Sequence, residues 1–114
     1  MPKSDAARIR HMLDAAREAI GFVRGRTRQA LENERLLSLA IVRLLEIVGE
    51  AARQVSESTR RLYPAVPWAK IAGMRNHLIH GYDVIEFEVV WEVLTRDFPP
   101  LVAELERILS EQER

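Results

Sequence analysis

Between Leu36 and Val55 the chain places Leu36, Leu37, Leu39, Ala40, Ile41, Val42, Leu44, Leu45, Ile47, Val48, Ala51, Ala52 and Val55, more apolar residues than one helical face can hold. A helix that is apolar around most of its girth must be covered on more than one side. A chain of 114 residues allows one domain with one modest core. The segment from about Glu32 to Ser56 therefore reads as a central helix or as part of an interface with a second copy.

The remaining elements are arranged to cover it. Ser4 or Asp5 can cap a first helix reaching about Val23, with Ile9, Met12, Leu13, Ala16, Ile20 and Val23 on one face. The piece Arg24-Gly25-Arg26-Thr27-Arg28 interrupts it. A loop from Ser58 to Val66 leads to Pro67, a favourable first helical residue, and a third helix runs from there to about His80, stopped by Gly81. Asp83 and Glu86 have the spacing of a capping box for a fourth helix to about Asp97, burying Ile85, Val89, Val90, Val93 and Leu94. Pro99 and Pro100 break the chain and start a fifth helix with Leu101, Leu105, Ile108 and Leu109 inward. No stretch alternates like a strand, and no repeat, linker or low-complexity tract divides the chain. Residues 1–114 thus read as a single all-α domain, an antiparallel bundle of about five helices with short connections.

Composition removes several functional classes. The absence of cysteine excludes disulfides, thiolate catalysis and cysteine-based zinc sites. No apolar run approaches the ~18 residues of a membrane span, and the polar start does not resemble a secretory signal, so a cytoplasmic location without membrane contact is expected. Seventeen basic and seventeen acidic residues leave no global charge to attract nucleic acid. Their distribution is uneven: residues 1–61 hold 12 Lys/Arg against 8 Asp/Glu, and residues 62–114 hold 5 against 9. Such halves, +4 and −4, suit a self-complementary dimer or one RNA-facing side, although solvated faces produce the same pattern.

The chemistry is concentrated in Met74-Arg75-Asn76-His77-Leu78-Ile79-His80-Gly81-Tyr82. Arg75 falls on the stripe Trp68, Ile71, Ala72, Arg75, Leu78, Ile79, where a cation needs an anionic neighbour or ligand. The long second helix offers carboxylates on its one polar stripe, Arg43, Glu46, Glu50, Arg53 and Glu57. That stripe is either a ladder of intrahelical ion pairs or a face that turns Glu50, or failing that Glu46, toward Arg75. A buried Arg–Glu bridge of purely structural purpose would satisfy the same pattern. His80 is expected in the last turn of the third helix, where the helix dipole favours imidazolium, and Asn76, four residues earlier, would share its face. His77 and His80 are three apart, but no suitably spaced carboxylates complete a metal site, so neither metal nor cofactor is expected.

Arg and His without a metal suit RNA cleavage. A base removes the 2′-hydroxyl proton, cations hold charge on the phosphate, and an acid protonates the departing 5′-oxygen. One chain supplies one such His; a two-fold dimer joining two segments would supply two.

Arg75, four residues, His80, one residue and Tyr82 resemble the Arg-x4-His-x-Tyr signature of HEPN-domain toxins of the HepT type. Glu46-Ile47-Val48-Gly49-Glu50-Ala51-Ala52 is similar to that family's second-helix segment. Pro67-Trp68 with Ile71, Gly73, Met74, Arg75 and Asn76, and Val90-Trp91 with Asp97-Phe98-Pro99, resemble its following segments. His77 stands where the family usually has an apolar or small residue. The resemblance implies a HEPN-like helical homodimer, with Arg75 and His80 catalytic; from their spacing, Asn76 and Glu50 are expected to support them. It also implies a metal-independent endoribonuclease toxin acting on RNA, with no DNA substrate. A cognate minimal nucleotidyltransferase antitoxin would neutralise it by adding AMP to Tyr82. The alternative is a non-catalytic nucleotide- or RNA-binding helical module that partners a nucleotidyltransferase, in which the same residues grip phosphate without cutting.

Overall fold

The computed structural model describes residues 1–80 and 84–113, the side chain of residue 80 excepted. The expected capping box at Asp83 and the stop at Gly81 lie outside the described residues. Helix α1 (Lys3–Val23) buries Ile9, Met12, Leu13, Ala16 and Val23 as the 3.6-residue period requires, and the chain turns at Gly25, whose φ of +74° suits glycine. A short α2 (Arg28–Asn33) follows, with the Thr27 hydroxyl accepting from Ala30 N–H at 3.1 Å. After an extended residue at Glu34 comes α3 (Arg35–Gln54), one residue shorter than α1.

The central position expected for this helix is observed. Helix α1 packs along one side of α3, and the segments α5 (Trp68–Ala72) and α6 (Met74–Leu78) pack along another. Ile41, Leu44, Leu45, Val48, Ala51 and Ala52 fill the space between. Coverage is incomplete at the start of the helix, where Leu36 is 84% and Leu39 46% exposed.

Several expectations are corrected. Neither Ser4 nor Asp5 caps α1, which begins after Pro2 without a side-chain cap. Asp5 is instead buried and reaches across the fold to the start of α4 (Glu57–Leu62), a helix in the segment expected to be a loop. Its carboxylate accepts from Ser56 N–H at 3.0 Å, from the Ser56 hydroxyl at 2.5 Å and from the Thr59 hydroxyl at 2.6 Å.

The third helix is not continuous. Gly73 separates α5 from α6, and α6 ends at Leu78. The Leu78 carbonyl then accepts from Glu86 N–H at 2.8 Å, and a two-residue antiparallel ladder follows, β1 (Ile79–His80) against β2 (Val84–Ile85), where no strand was expected.

Finally, Pro99 and Pro100 do not break the chain. Helix α7 (Phe87–Glu92) passes through a π-helical turn (Val93–Asp97) directly into α8 (Phe98–Gln112). Phe98 N–H bonds the Val93 carbonyl, five residues back. In a regular α-helix the proline rings would press on the carbonyls of Thr95 and Arg96, and the wider turn relieves that contact. Val90, Val93, Leu94, Leu101, Leu105, Ile108 and Leu109 are buried as expected, whereas Ile85 is half-buried and Val89 exposed.

The Asp5 junction has a measurable consequence. Burial pushes its carboxyl up, but hydrogen bonds from Ser56 and Thr59, with Arg8 nearby, outweigh this and hold it below the ordinary value of 3.8. A depressed folded-state pKa contributes stability that is present above the unfolded value and is lost as pH falls through the folded one. Asp5→Asn should therefore destabilise the protein at pH 7, and the gap from the parent should narrow progressively below about pH 4. Asp5→Ala, which leaves two hydroxyls and an amide without their acceptor, should cost about 2–3 kcal/mol at pH 7. Urea unfolding across pH 3 to 7 measures both.

Candidate active site

Helix α3 and the α5–α6 pair come close at one point because α3 carries no side chain there. A Cβ on Gly49 would stand 3.1 Å from the Ile71 carbonyl oxygen, tighter than ordinary packing. One turn further along α3, the Arg53 guanidinium donates to the Ala72 carbonyl at 3.0 Å. That bond satisfies a carbonyl at the end of α5 and fixes the position from which α6 departs. The break at Gly73 follows from these contacts together with glycine's poor helix propensity.

The break decides where Arg75 points. Helix α6 buries Met74 and Leu78, and Arg75 is turned outward with its side chain 52% exposed. The expectation of a buried Arg75 is therefore corrected: the apolar stripe jumps from Ile71 to Met74 across Gly73. Glu46, not Glu50, is its partner, accepting from Arg75 Nε at 3.0 Å. Glu50 is exposed and accepts a long bond, 3.4 Å, from Gln54. The ladder of intrahelical ion pairs is not formed among Arg43, Glu46, Glu50 and Arg53. Instead these residues, with Gly49, Ala72, Arg75 and Asn76, line one polar cleft of about 310 Å³.

His80 belongs to β1 by its backbone and so does not sit in the last turn of a helix. The dipole argument for an imidazolium there does not apply, and Asn76 does not share a helical face with it. The side chain of His80 and the whole of Tyr82 lie outside the described residues. His77 is exposed and opens onto a different, largely apolar cavity of about 540 Å³ floored by Val66, Ile71, Met74 and Leu101. Arg75 and His77, two apart in sequence, thus serve separate concavities. Among the described residues no group of His, Asp and Glu is placed to hold a metal ion, and no helix is long and apolar enough to cross a membrane.

Chemically, the cleft presents a guanidinium on a carboxylate tether, an amide, and Arg43, which has no partner among the described residues. Planar guanidinium groups suit phosphate oxygens, which they can grip through two parallel hydrogen bonds. The part of Arg53 in shaping the cleft was not legible beforehand, because its bond is to a backbone carbonyl.

Residues 12–108 match the family model described as Ribonuclease HepT-like. A Methanocaldococcus jannaschii protein whose name describes it as an RNase is 32% identical over 114 residues, covering 99% of this chain and 94% of its own. A Caldanaerobacter subterraneus protein with a similar RNase name is 33% identical over 91% of this chain and 93% of its own. A Thermococcus cleftensis protein named as ribonuclease HepT is 33% identical over 84% of this chain and 91% of its own. No solved structure matches.

Because the Arg75–Glu46 pair is exposed, removing it should disturb the fold little. Arg75→Ala and Glu46→Gln should each change unfolding free energy by no more than about 1 kcal/mol. A loss of several kcal/mol in either variant would show that the pair is a structural element of the domain.

Proposed function

The chain belongs to the HepT-like ribonuclease family, and from that premise we propose that it is a metal-independent endoribonuclease whose cleft works in a two-fold dimer. The observation that carries this reading is the exposed Arg75 guanidinium, held by Glu46 beside Asn76 in a polar cleft. The pair orients the guanidinium without burying it, so an RNA phosphate can reach it. In the proposed reaction His80 of one protomer removes the 2′-hydroxyl proton. The 2′-oxygen attacks phosphorus and the bond to the 5′-oxygen breaks. His80 of the second protomer gives the leaving 5′-oxygen its proton. The products are a 2′,3′-cyclic phosphate and a free 5′-hydroxyl. Arg75 holds the charge that gathers on the non-bridging oxygens. Asn76 and Glu50 support the cleft from either side.

Support for the dimer comes from α3. Leu36, Leu39, Arg43, Glu46, Glu50 and Arg53 follow each other at spacings of 3, 4, 3, 4 and 3, one seam that is apolar and exposed at its start and polar in the cleft. A second copy covering Leu36 and Leu39 by an isologous contact would continue into the cleft. Within the same proposal the enzyme is a toxin, neutralised when a cognate minimal nucleotidyltransferase adds AMP to Tyr82 and so places phosphate near Arg75. Tyr63 is not an equivalent acceptor, since it is buried and its hydroxyl takes a hydrogen bond from Gln112 at 2.8 Å.

The purified protein should cut single-stranded RNA in EDTA, and Arg75→Ala and His80→Ala should each lower the rate at least about 100-fold while thermal unfolding stays close to the parent. Activity that disappears in EDTA and returns with magnesium would overturn the mechanism, and RNA binding without cleavage would favour the non-catalytic reading.

Sedimentation should give a dimer at micromolar concentration, shifted toward monomer by Leu36→Glu. Tyr82→Phe should retain RNase activity and gain no AMP mass when co-expressed with the nucleotidyltransferase. Undiminished AMP addition to that variant would place the modification elsewhere.

A further inference from the structure

Three guanidinium groups line the α3–α6 cleft, and two of them are engaged: Arg75 on Glu46, and Arg53 on the Ala72 carbonyl. Arg43 is exposed at the same cleft with no hydrogen-bond or ion-pair partner among the described residues. Glu46 lies one turn away on the same helix, the favourable i,i+3 separation, yet its carboxylate turns to Arg75. Of the two carboxylates lining the cleft, Glu46 is committed to Arg75 and Glu50, two turns along α3 from Arg43, accepts only from Gln54, so Arg43 is left without a counter-charge. Counting lining side chains, Arg43, Arg53 and Arg75 against Glu46 and Glu50 leave it at +1 in a chain whose formal net charge is zero.

Arg43 and Arg53 are ten residues apart on α3, about 15 Å along its axis. Arg43 stands three residues, about 4.5 Å along that axis, from Glu46, which holds Arg75, so the two guanidinium groups are placed for neighbouring phosphates of one strand. Arg75 can serve only the phosphate placed for reaction.

We infer that Arg43 is a substrate-binding residue, gripping a backbone phosphate that flanks the scissile one on a single RNA strand. The inference rests on the ribonuclease reading and deepens it: it gives the cleft a direction, with the strand running along α3 from Arg75 toward Arg43. A phosphate contact of this kind positions the strand without reading its bases.

The test uses the full chain and a single-stranded 2′-O-methyl RNA, whose blocked 2′-oxygen permits binding and forbids cleavage. Its affinity is followed by fluorescence anisotropy at several salt concentrations. Arg43→Ala and Arg43→Gln should weaken binding about fivefold and lower the slope of log affinity against log salt by about 0.7, one single-strand phosphate contact. Arg43→Lys should recover most of both. With cleavable RNA the same variants should raise KM more than they lower kcat. Arg17→Ala, which removes an equal charge from an exposed pair with Glu106 outside the cleft, should change neither affinity nor slope. Thermal unfolding of the Arg43 variants should match the parent, since the side chain is exposed.

Unchanged affinity and slope in Arg43→Ala would overturn the inference and leave the ribonuclease reading standing, as would an equal effect from Arg17→Ala or a loss confined to kcat. If the parent neither binds nor cuts RNA, both readings fall together.

Discussion

At Gly49 the central helix offers bare backbone to the Ile71 carbonyl, and the rest of the site is assembled around that approach. A side chain there would force α5 outward. The Arg53 guanidinium would then lose the Ala72 carbonyl, and the kink at Gly73 would lose the bond that terminates α5. The kink in turn sends Met74 and Leu78 into the core and Arg75 out of it. A close contact between backbones thus sets the direction of Arg75, the guanidinium of the proposed reaction. Glu46, one turn before Gly49 on α3, is already in place to receive it.

Much of this scaffold was legible as periodicity. The inward faces of α1, α3 and α8 follow the 3.6-residue pattern, and the central place of α3 follows from its apolar girth. What periodicity cannot register is a local exchange of hydrogen-bond partners. The third helix looked continuous because Trp68, Ile71, Leu78 and Ile79 are spaced for it. It divides at Gly73, where Arg53, nineteen residues before Ala72, takes that residue's carbonyl, and it ends at Leu78, whose carbonyl accepts from Glu86 N–H. The prolines misled in the opposite sense. Pro99 and Pro100 stop an α-helix by their rings, but a π-turn placed immediately before them lets the helical path continue. Asp5 looked like a cap for its own helix and instead holds Ser56, the cap of α4, fifty-one residues away, a role that only tertiary packing assigns.

Of the expected site residues, Arg75, Asn76, Glu46 and Glu50 share one cleft, whereas the side chain of His80 and the whole of Tyr82 lie outside the described residues. The electrostatics of the cleft were not legible. The argument that placed Arg75 in a buried register treated its partner as compensation for lost hydration. In the structure the pair is exposed, so hydration is largely kept and the pair's strength is modest. Its value lies in orientation: one carboxylate oxygen on Nε leaves the two terminal nitrogens of the guanidinium free to face an incoming anion.

That geometry also bears on how a neutral protein engages a polyanion. A buried Arg–Glu bridge would resist exchange, because a departing phosphate would leave a desolvated carboxylate behind. An exposed bridge carries no such penalty. A phosphate can take the free edge of Arg75 while Glu46 keeps the other, or displace Glu46 into solvent at little cost. Among the described residues, the guanidinium of this cleft with no partner to exchange is Arg43. Affinity and orientation are in this way divided between two arginines on different helices, and the short crossing at Gly49 keeps both at the same cleft.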